Sequence, residues 1–164
     1  MAPITCRSAC AFAWRSRRCQ HHPEIQHAGK TALLIDDYGH HPVELKATLS
    51  ALRGAYPEKR MVLIFQPHRY TRTRDLFDDF VSVLSDVDQL IITEVYPAGE
   101  KPIALADGRA LVRAIRLQGN ENAIFAEDIV DAKRKLFNIL QQDDLVVTMG
   151  AGSVGKLPAM LNND

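Results

Sequence analysis

The sequence predicts an α/β fold, a three-layer sandwich with a mostly parallel sheet and helices on both faces. Three observations carry this expectation. From about residue 30, short apolar runs alternate five times with stretches of helical period. The runs are continuously apolar, as strands buried on both faces require. The connections that follow the runs are rich in charged and aromatic residues, whereas those that precede them, such as "GAYPEK" and "QQDD", are ordinary surface turns.

The elements follow in order. "TALLID" (31–36) is the first predicted strand. Pro42 suits a first helical position, and Leu45, Leu49, Leu52 and Tyr56 recur behind it at helical spacing. "RMVLIF" (60–65) is the second strand, and Leu76, Phe77, Phe80, Val81 and Leu84 mark the next helix. "QLIITEV" (89–95) is the third. The connection "EVYPAGEKPIALAD" (94–107) is longer than the usual α/β loop, and such loops often carry function. Leu111, Ala114 and Ile115 mark a third helix, with Arg109, Arg113 and Arg116 on its other faces. "NAIFA" (122–126) is the fourth strand. Asp128 is the expected N-cap of a helix carrying Ile129, Ala132, Leu136, Ile139 and Leu140. "DLVVTM" (144–149) is the fifth strand, and a short helix follows Ser153.

Composition bounds the function. The 164 residues fit one domain and the tail of another, and 46% hydrophobic with 24% charged residues supports a sizeable core. Twenty basic residues balance twenty acidic ones, which argues against a nucleic-acid or anionic-membrane partner. No apolar run approaches the ~20 residues of a membrane-spanning helix. Cys6, Cys10 and Cys19 are odd in number and confined to the N-terminal part, so a reducing, cytoplasmic setting without a disulfide framework is expected.

Residues 1–28 stand apart. Residues 1–23 hold Arg7, Arg15, Arg17 and Arg18 and no acid. This stretch shows no strand or helix period and is expected to be irregular and poorly ordered unless tied down. It reads either as an organelle transit peptide or as the end of a preceding domain. The domain proper is expected at 29–164.

In doubly wound sheets, ligands bind outside the carboxyl ends of the strands. Four loops therefore bear reading: "DDYGHHP" (36–42), "QPHRYTRTR" (66–74), "EVYPAGEKP" (94–102) and "GAGSVGK" (150–156). His68, Arg69, Arg72 and Arg74 lead into a helix, whose amino end disfavours cations by ~0.3–1 kcal/mol each. Arginines placed there suggest an anion, because the guanidinium fork donates two parallel bonds to carboxylate or phosphate. The alternative is that they are solvated or pair with Asp75, Asp78 and Asp79. "GAGSVG" matches G-x-G-x-x-G, but the acid expected ~20 residues on has no room, so a tight turn with close backbone approach is the better reading. His40, His41 and His68 could lie near Asp36 and Asp37, yet adjacent histidines diverge and no cysteine joins them, so no metal site is expected. His21, His22 and His27 carry no geometric signal. The chain has no P-loop and no G-x-S-x-G elbow.

"DDYGHHPVEL", "FQPHRYTRTRDLFDDF", "EVYPAGEKPI", "DGRALVRAIR" and "VVTMGAGSVGKL" occur in this order and spacing. Together they resemble the C-terminal domain of the Mur ligases of peptidoglycan synthesis, in particular the branch that adds L-alanine to UDP-N-acetylmuramate, over about residues 30–160. The branch that recycles murein tripeptide ranks second, and a stand-alone module binding an anion or a protein is the alternative from another class. The resemblance implies a Rossmann-like third domain of an ATP-dependent amide-forming ligase, which works with a UDP-sugar domain and a central ATPase domain. The implied reaction uses ATP and Mg²⁺ to form an acyl phosphate that the alanine amine attacks, and domain closure completes the site. Partners would be ATP, L-alanine and UDP-N-acetylmuramate, held with the other two domains, and this chain alone would be inactive and hold no cofactor.

Carried over residue by residue, the resemblance implies that Asp37 contacts the ATP ribose. His40, Arg69 and Arg72 would meet the alanine carboxylate and the reacting end of the sugar substrate, with Tyr38 lining the pocket. Asp36, His41, His68 and Arg74 would support them. Phe12, Trp14, Arg17, Arg18 and Cys19 fit in part the end of the family's central domain, where Arg18 would correspond to an arginine touching ATP phosphate.

Overall fold

The computed structural model describes residues 19–162. Its elements are β1 (Cys19–His27), β2 (Lys30–Asp37), α1 (Pro42–Ala55), β3 (Met61–Phe65), α2 (Tyr70–Asp75), α3 (Phe77–Leu84), β4 (Gln89–Thr93), α4 (Gly108–Leu117), β5 (Ala123–Ala126), α5 (Ile129–Ile139), β6 (Leu145–Met149), a 3₁₀ turn (Ser153–Lys156) and α6 (Leu157–Leu161). All five expected strands are present, in one six-stranded sheet of order β1-β2-β6-β3-β4-β5. Only β1 runs antiparallel, against β2.

Strand alternation sends successive side chains to opposite layers. Ile35, Leu63, Phe65, Leu90, Ile92 and Val147 face one layer, where they pack with Leu45 and Leu49 of α1, Phe80 and Leu84 of α3, and Leu111 and Ile115 of α4. Leu34, Val62, Ile64, Ile91 and Val146 face the other, against Ala132 and Leu136 of α5 and Leu157 and Leu161 of α6. This is the three-layer arrangement that the uninterrupted apolar strands predict.

Two elements differ from expectation. The stretch expected to be irregular up to residue 28 contains β1, which pairs with β2 through the two-residue turn Ala28–Gly29. Both turn residues have positive φ, 50° and 77°, the handedness that matches strand twist in a tight hairpin. The strand escapes a periodicity reading because "CQHHPEIQH" is mostly polar and its register shifts between His22 and Ile25, an interval that holds Pro23. The second difference is α2, a separate six-residue helix ahead of α3. Leu76 at φ −117° breaks the two apart.

The remaining cues act locally as expected. Asp128 caps α5, accepting from the N–H groups of Val130 (2.9 Å) and Asp131 (2.8 Å). Asp107 caps α4, accepting from Ala110 N–H at 2.7 Å. Arg116 and Lys135 donate to the Ala123 and Phe125 carbonyls of β5, occupying acceptors on an edge strand that would otherwise template further pairing.

The topology places the site. α1 and α3 follow β2 and β3 into one layer, while the segment after β6, which lies between those strands, enters the other through Val154 and Leu157. Chains that diverge from adjacent strand ends leave a crevice. No helix among the described residues is long and apolar enough to cross a membrane.

Candidate anion-binding rim

The loops after β2, β3, β4 and β6 meet at this crevice. Gln66 ties two of them together. It is buried, its N–H donates to Met149 O (3.0 Å), its side-chain oxygen accepts from Val154 N–H (3.0 Å), and its amide nitrogen donates to Ser153 Oγ (3.0 Å). The glycines of "GAGSVG" make room for this junction. A Cβ on Gly150 would lie 2.8 Å from Gln66 O, and one on Gly152 only 2.5 Å from Gln66 Oε1 and 2.6 Å from Tyr96 Cγ. A Cβ on Gly155 would meet nothing within 4 Å. The motif is thus a close approach to β3 and Tyr96, as the tight-turn reading expects.

"DDYGHHP" divides by face. Asp36 accepts a hydrogen bond from Thr148 of β6, and burial is the main cause that raises its pKa above the usual 3.8. Asp37, the expected ribose contact, is 5% exposed and turned inward. Its two oxygens accept from Gly39 N–H (2.7 Å) and Thr48 Oγ1–H (2.9 Å), so it closes the turn and anchors α1. His41 caps α1, its Nδ1 accepting from Val43 N–H (3.3 Å), while Glu44 accepts from the N–H groups of His40 (3.0 Å) and His41 (3.1 Å). That reciprocal cap makes His41 a supporting residue.

Tyr38 and His40 remain on the surface side. Tyr38 is half exposed, and its ring meets that of His40 edge-on at 5.7 Å. His40 Nδ1 lies 3.0 Å from Tyr38 O. A carbonyl can only accept, so this geometry puts the proton on Nδ1 and leaves Nε2 as the acceptor of the neutral ring. His40 contacts His68 at 5.3 Å, and His68 stacks on Tyr96 at 5.4 Å. An aromatic row therefore runs across the loops after β2, β3 and β4. The His68 Nδ1 atom is buried with no hydrogen-bond partner among the described residues. Desolvation by burial, then repulsion from His40, Arg72 and Arg69, lowers its pKa. The neutral form of the His68 ring is thus favoured, in part by the nearby charges of Arg72 and Arg69.

Arg69 and Arg72 follow His68 at the start of α2. Arg69 occupies the N-cap of α2 with φ 73°, a left-handed conformation that strains a non-glycine residue. Its N–H donates to Tyr96 O (2.9 Å), and its carbonyl accepts from Thr73 N–H (3.1 Å) and Thr73 Oγ1 (2.9 Å). Among the described residues its guanidinium has no hydrogen bond or ion pair, although Glu100 attracts it from a greater distance. Arg72 makes one long hydrogen bond, 3.4 Å to His68 O. Arg74 behaves otherwise, paired with Asp75 at 2.7 Å on the exposed side. Arg74 thus fits the pairing form of the alternative and the exposed Arg69 its solvated form, while Arg72 is half-buried and bonded to a carbonyl. Arg18 lies outside the described residues.

Sequence reasoning missed the residues that hold this geometry. Glu100 accepts from Thr71 N–H (3.0 Å) and Thr71 Oγ1–H (2.7 Å), and Tyr96 bridges Pro67 and Arg69 through its backbone. The unusual length of the 94–107 loop was the available signal. A groove of about 490 Å³ lined by Leu49, Arg53, Met61, Val83 and Val87 lies between α1 and α3 near the amino ends of β3 and β4, away from the rim. Among the described residues, no three His, Cys, Asp or Glu side chains gather as a metal site.

Known proteins bear on this geometry. The chain is 62% identical over 151 residues to the UDP-N-acetylmuramate–L-alanine ligase of Neisseria meningitidis, covering 92% of this chain and 32% of that protein. It is 58% identical over the same length to the ligase of that name from Laribacter hongkongensis, again covering 92% of this chain and 32% of the relative. The chain therefore spans about a third of the length of the relatives it matches. The solved UDP-N-acetylmuramate-alanine ligase of Thermotoga maritima superposes with a TM-score of 0.62 at 22% identity, over 84% of this chain and 27% of that one, which shows a shared fold. The family described as "Mur ligase, glutamate ligase domain" matches residues 17–152, a span that takes in β1 as well as the rim, and the chain belongs to it.

Proposed function

We propose that this chain is the C-terminal, closing domain of a cytoplasmic ATP-dependent ligase that joins L-alanine to UDP-N-acetylmuramate in peptidoglycan synthesis. Arg69 and Arg72, with His40 beside them, grip the carboxylate of the amino acid and the anionic reacting end of the sugar substrate, and Tyr38 lines the pocket. The observation that carries this reading is a pair of arginines fixed by backbone bonds whose guanidinium groups form no ion pair among the described residues. The names of the most similar relatives supply the substrate class. No observation separately favours the murein tripeptide branch or a stand-alone binding module.

ATP and Mg²⁺ fit this chain's residues only in part. Asp37, which the resemblance assigns to the ribose, is 5% exposed with both oxygens accepting bonds inside the domain, so as it stands it fits that role poorly. The sequence has no P-loop for the triphosphate, and no cluster of metal-ligating side chains gathers among the described residues. This chain's own part is to bind and orient anions as the domain closes. Preorganised donors of this kind stabilise developing negative charge without reorganising at the moment of reaction.

The test joins this domain to the preceding two thirds of the Neisseria meningitidis relative and measures alanine-dependent phosphate release. Arg69→Lys should raise the L-alanine KM by about tenfold or more, because an ammonium cannot form the bidentate fork. Kinetics indistinguishable from those of the unsubstituted hybrid would remove Arg69 from the substrate site. The chain by itself should release no phosphate.

A further inference from the structure

The first turn of α2 is built from outside the helix. Arg69 sits at its N-cap without a side-chain capping bond, and the helix has only six residues. Isolated helices so short do not persist, and their leading N–H groups need partners. Glu100 supplies them from the loop after β4, taking both the N–H and the hydroxyl of Thr71. Those two bonds are the leading causes that hold the Glu100 carboxyl below its usual range. The loop reaches this position through Tyr96, whose N–H donates to Pro67 O (2.8 Å), and through a turn closed by Glu100 N–H to Pro97 O (2.9 Å). Ala98 (φ 49°) and Gly99 (φ 87°) bend the chain there.

Arg69 needs this brace more than an ordinary residue would. A left-handed non-glycine conformation is strained and survives only where its surroundings over-determine it. Tyr96 O and Thr73 fix the backbone on either side of the Arg69 Cα, and the Thr73 bond closes the turn that holds Thr71, but the N–H and hydroxyl of Thr71 itself are left to Glu100.

We propose that Glu100 is a positioning residue for the arginine pair, standing in as the N-cap that α2 lacks. This rests on the reading of the rim as the amino-acid site. The Glu100 charge by itself works against anion binding, because it attracts Arg69 and competes with an incoming carboxylate. Position and charge therefore predict opposite outcomes when the residue is changed, and this makes the role separable.

The experiment uses the hybrid ligase described above, with L-alanine and ATP varied in turn. Glu100→Ala should raise the L-alanine KM about tenfold, the scale of a lost helix cap, and leave the ATP KM within about twofold. Glu100→Gln keeps an oxygen acceptor for Thr71 and should restore the alanine KM to within about threefold of the parent. In an Arg69→Ala background, Glu100→Ala should add little, since the residue acts through the arginines. Equal defects in the alanine and glutamine variants, a matching rise in the ATP KM, or full additivity with Arg69→Ala would each overturn the proposal. If Arg69→Ala alone leaves the alanine KM unchanged, or the parent hybrid is inactive, the reading of the rim fails instead. Melting of the isolated domain carrying each substitution reports whether the fold survives, and Glu100→Gln keeps the test decisive if Glu100→Ala does not fold.

Discussion

Gly152→Ala should damage this protein where Gly155→Ala, three residues on in the same motif, should not. Gly152 has φ −114°, outside the left-handed region, so the collision dominates. Its Cβ would sit 2.5 Å from Gln66 Oε1 and 2.6 Å from Tyr96 Cγ. Neither neighbour is free to yield: Gln66 is buried and bonded to Ser153 and Val154, and Tyr96 is stacked on His68. Overpacking costs about 1–3 kcal/mol, one broken hydrogen bond adds about 1 kcal/mol, and the stiffer unfolded chain returns about 0.4–1 kcal/mol. The net is a loss of roughly 2 kcal/mol, or about 4–8 °C in Tm for a chain of this size. Gly155 is exposed with nothing within 4 Å of its Cβ, so alanine there should be neutral or stabilise by up to about 1 kcal/mol. Denaturant melts of the isolated domain measure both, and the His68 ring resonances should shift in Gly152→Ala alone. Equal, small effects at the two positions would refute the close-approach reading of the motif and reopen the dinucleotide one, in which the third glycine packs a helix against the sheet.

Three further substitutions probe the rim and its frame. Burial raises the Asp36 pKa, so the folded state holds its proton more tightly than the unfolded one, and this residue's contribution to stability falls as pH rises from 3.8 through the folded value. Asn can still accept from Thr148, so Asp36→Asn should gain on the parent across that window and match it at lower pH, as paired urea melts at several pH values would show. Arg69→Gly removes the left-handed penalty but adds glycine's chain entropy, which leaves stability within about 1 kcal/mol of the parent while the alanine KM of the hybrid rises more than about tenfold. A large loss of stability would mean that the Arg69 side chain holds the fold. Ala28→Asn suits a turn whose two central residues both have positive φ, and it should stabilise the domain by about 0.5–1 kcal/mol in the same melts. Destabilisation would show that the β1–β2 hairpin forms another turn.

The sheet was legible because burial on both sides writes itself into composition. "MVLIF" and "LVVTM" carry no polar interruption except Thr148, and each is buried along its whole length. β1 was not legible because an edge strand hides little of its length. Among its described side chains only Ile25 is fully buried, and hydrogen bonds to β2 supply what the side chains do not. The rim was half legible. Residue type located Arg69 and Arg72, since guanidinium groups clustered after a strand point to an anion whatever the backbone does. Their support was hidden, because Glu100 lies twenty-nine positions from its partner Thr71 and only the folded loop joins them. The inward turn of Asp37 was hidden for a different reason. In "DDYGHHP" the first two residues finish a strand, so alternation sends Asp36 and Asp37 to opposite layers, and the sequence alone does not say which layer faces a ligand.

That alternation explains the crowding of the turn. Asp36 faces Thr148 of the neighbouring strand, Asp37 holds Gly39 and Thr48, and His41 with Glu44 starts α1. With the two acids and His41 engaged in construction, Tyr38 and His40 are left to face the crevice. The same division of labour recurs in "QPHRYTR". Gln66 ties loops together, Thr71 and Thr73 fix the helix start, and Arg69 and Arg72 face outward without a carboxylate of their own among the described residues. Arg74, which does pair, sits beside an acid one residue away, so counter-charges were available locally and two arginines went without them. An exposed guanidinium such as that of Arg69 is hydrated and screened, so it stands without a carboxylate at little cost. The two arginines do act on His68, whose pKa is lowered first by burial and then by His40, Arg72 and Arg69.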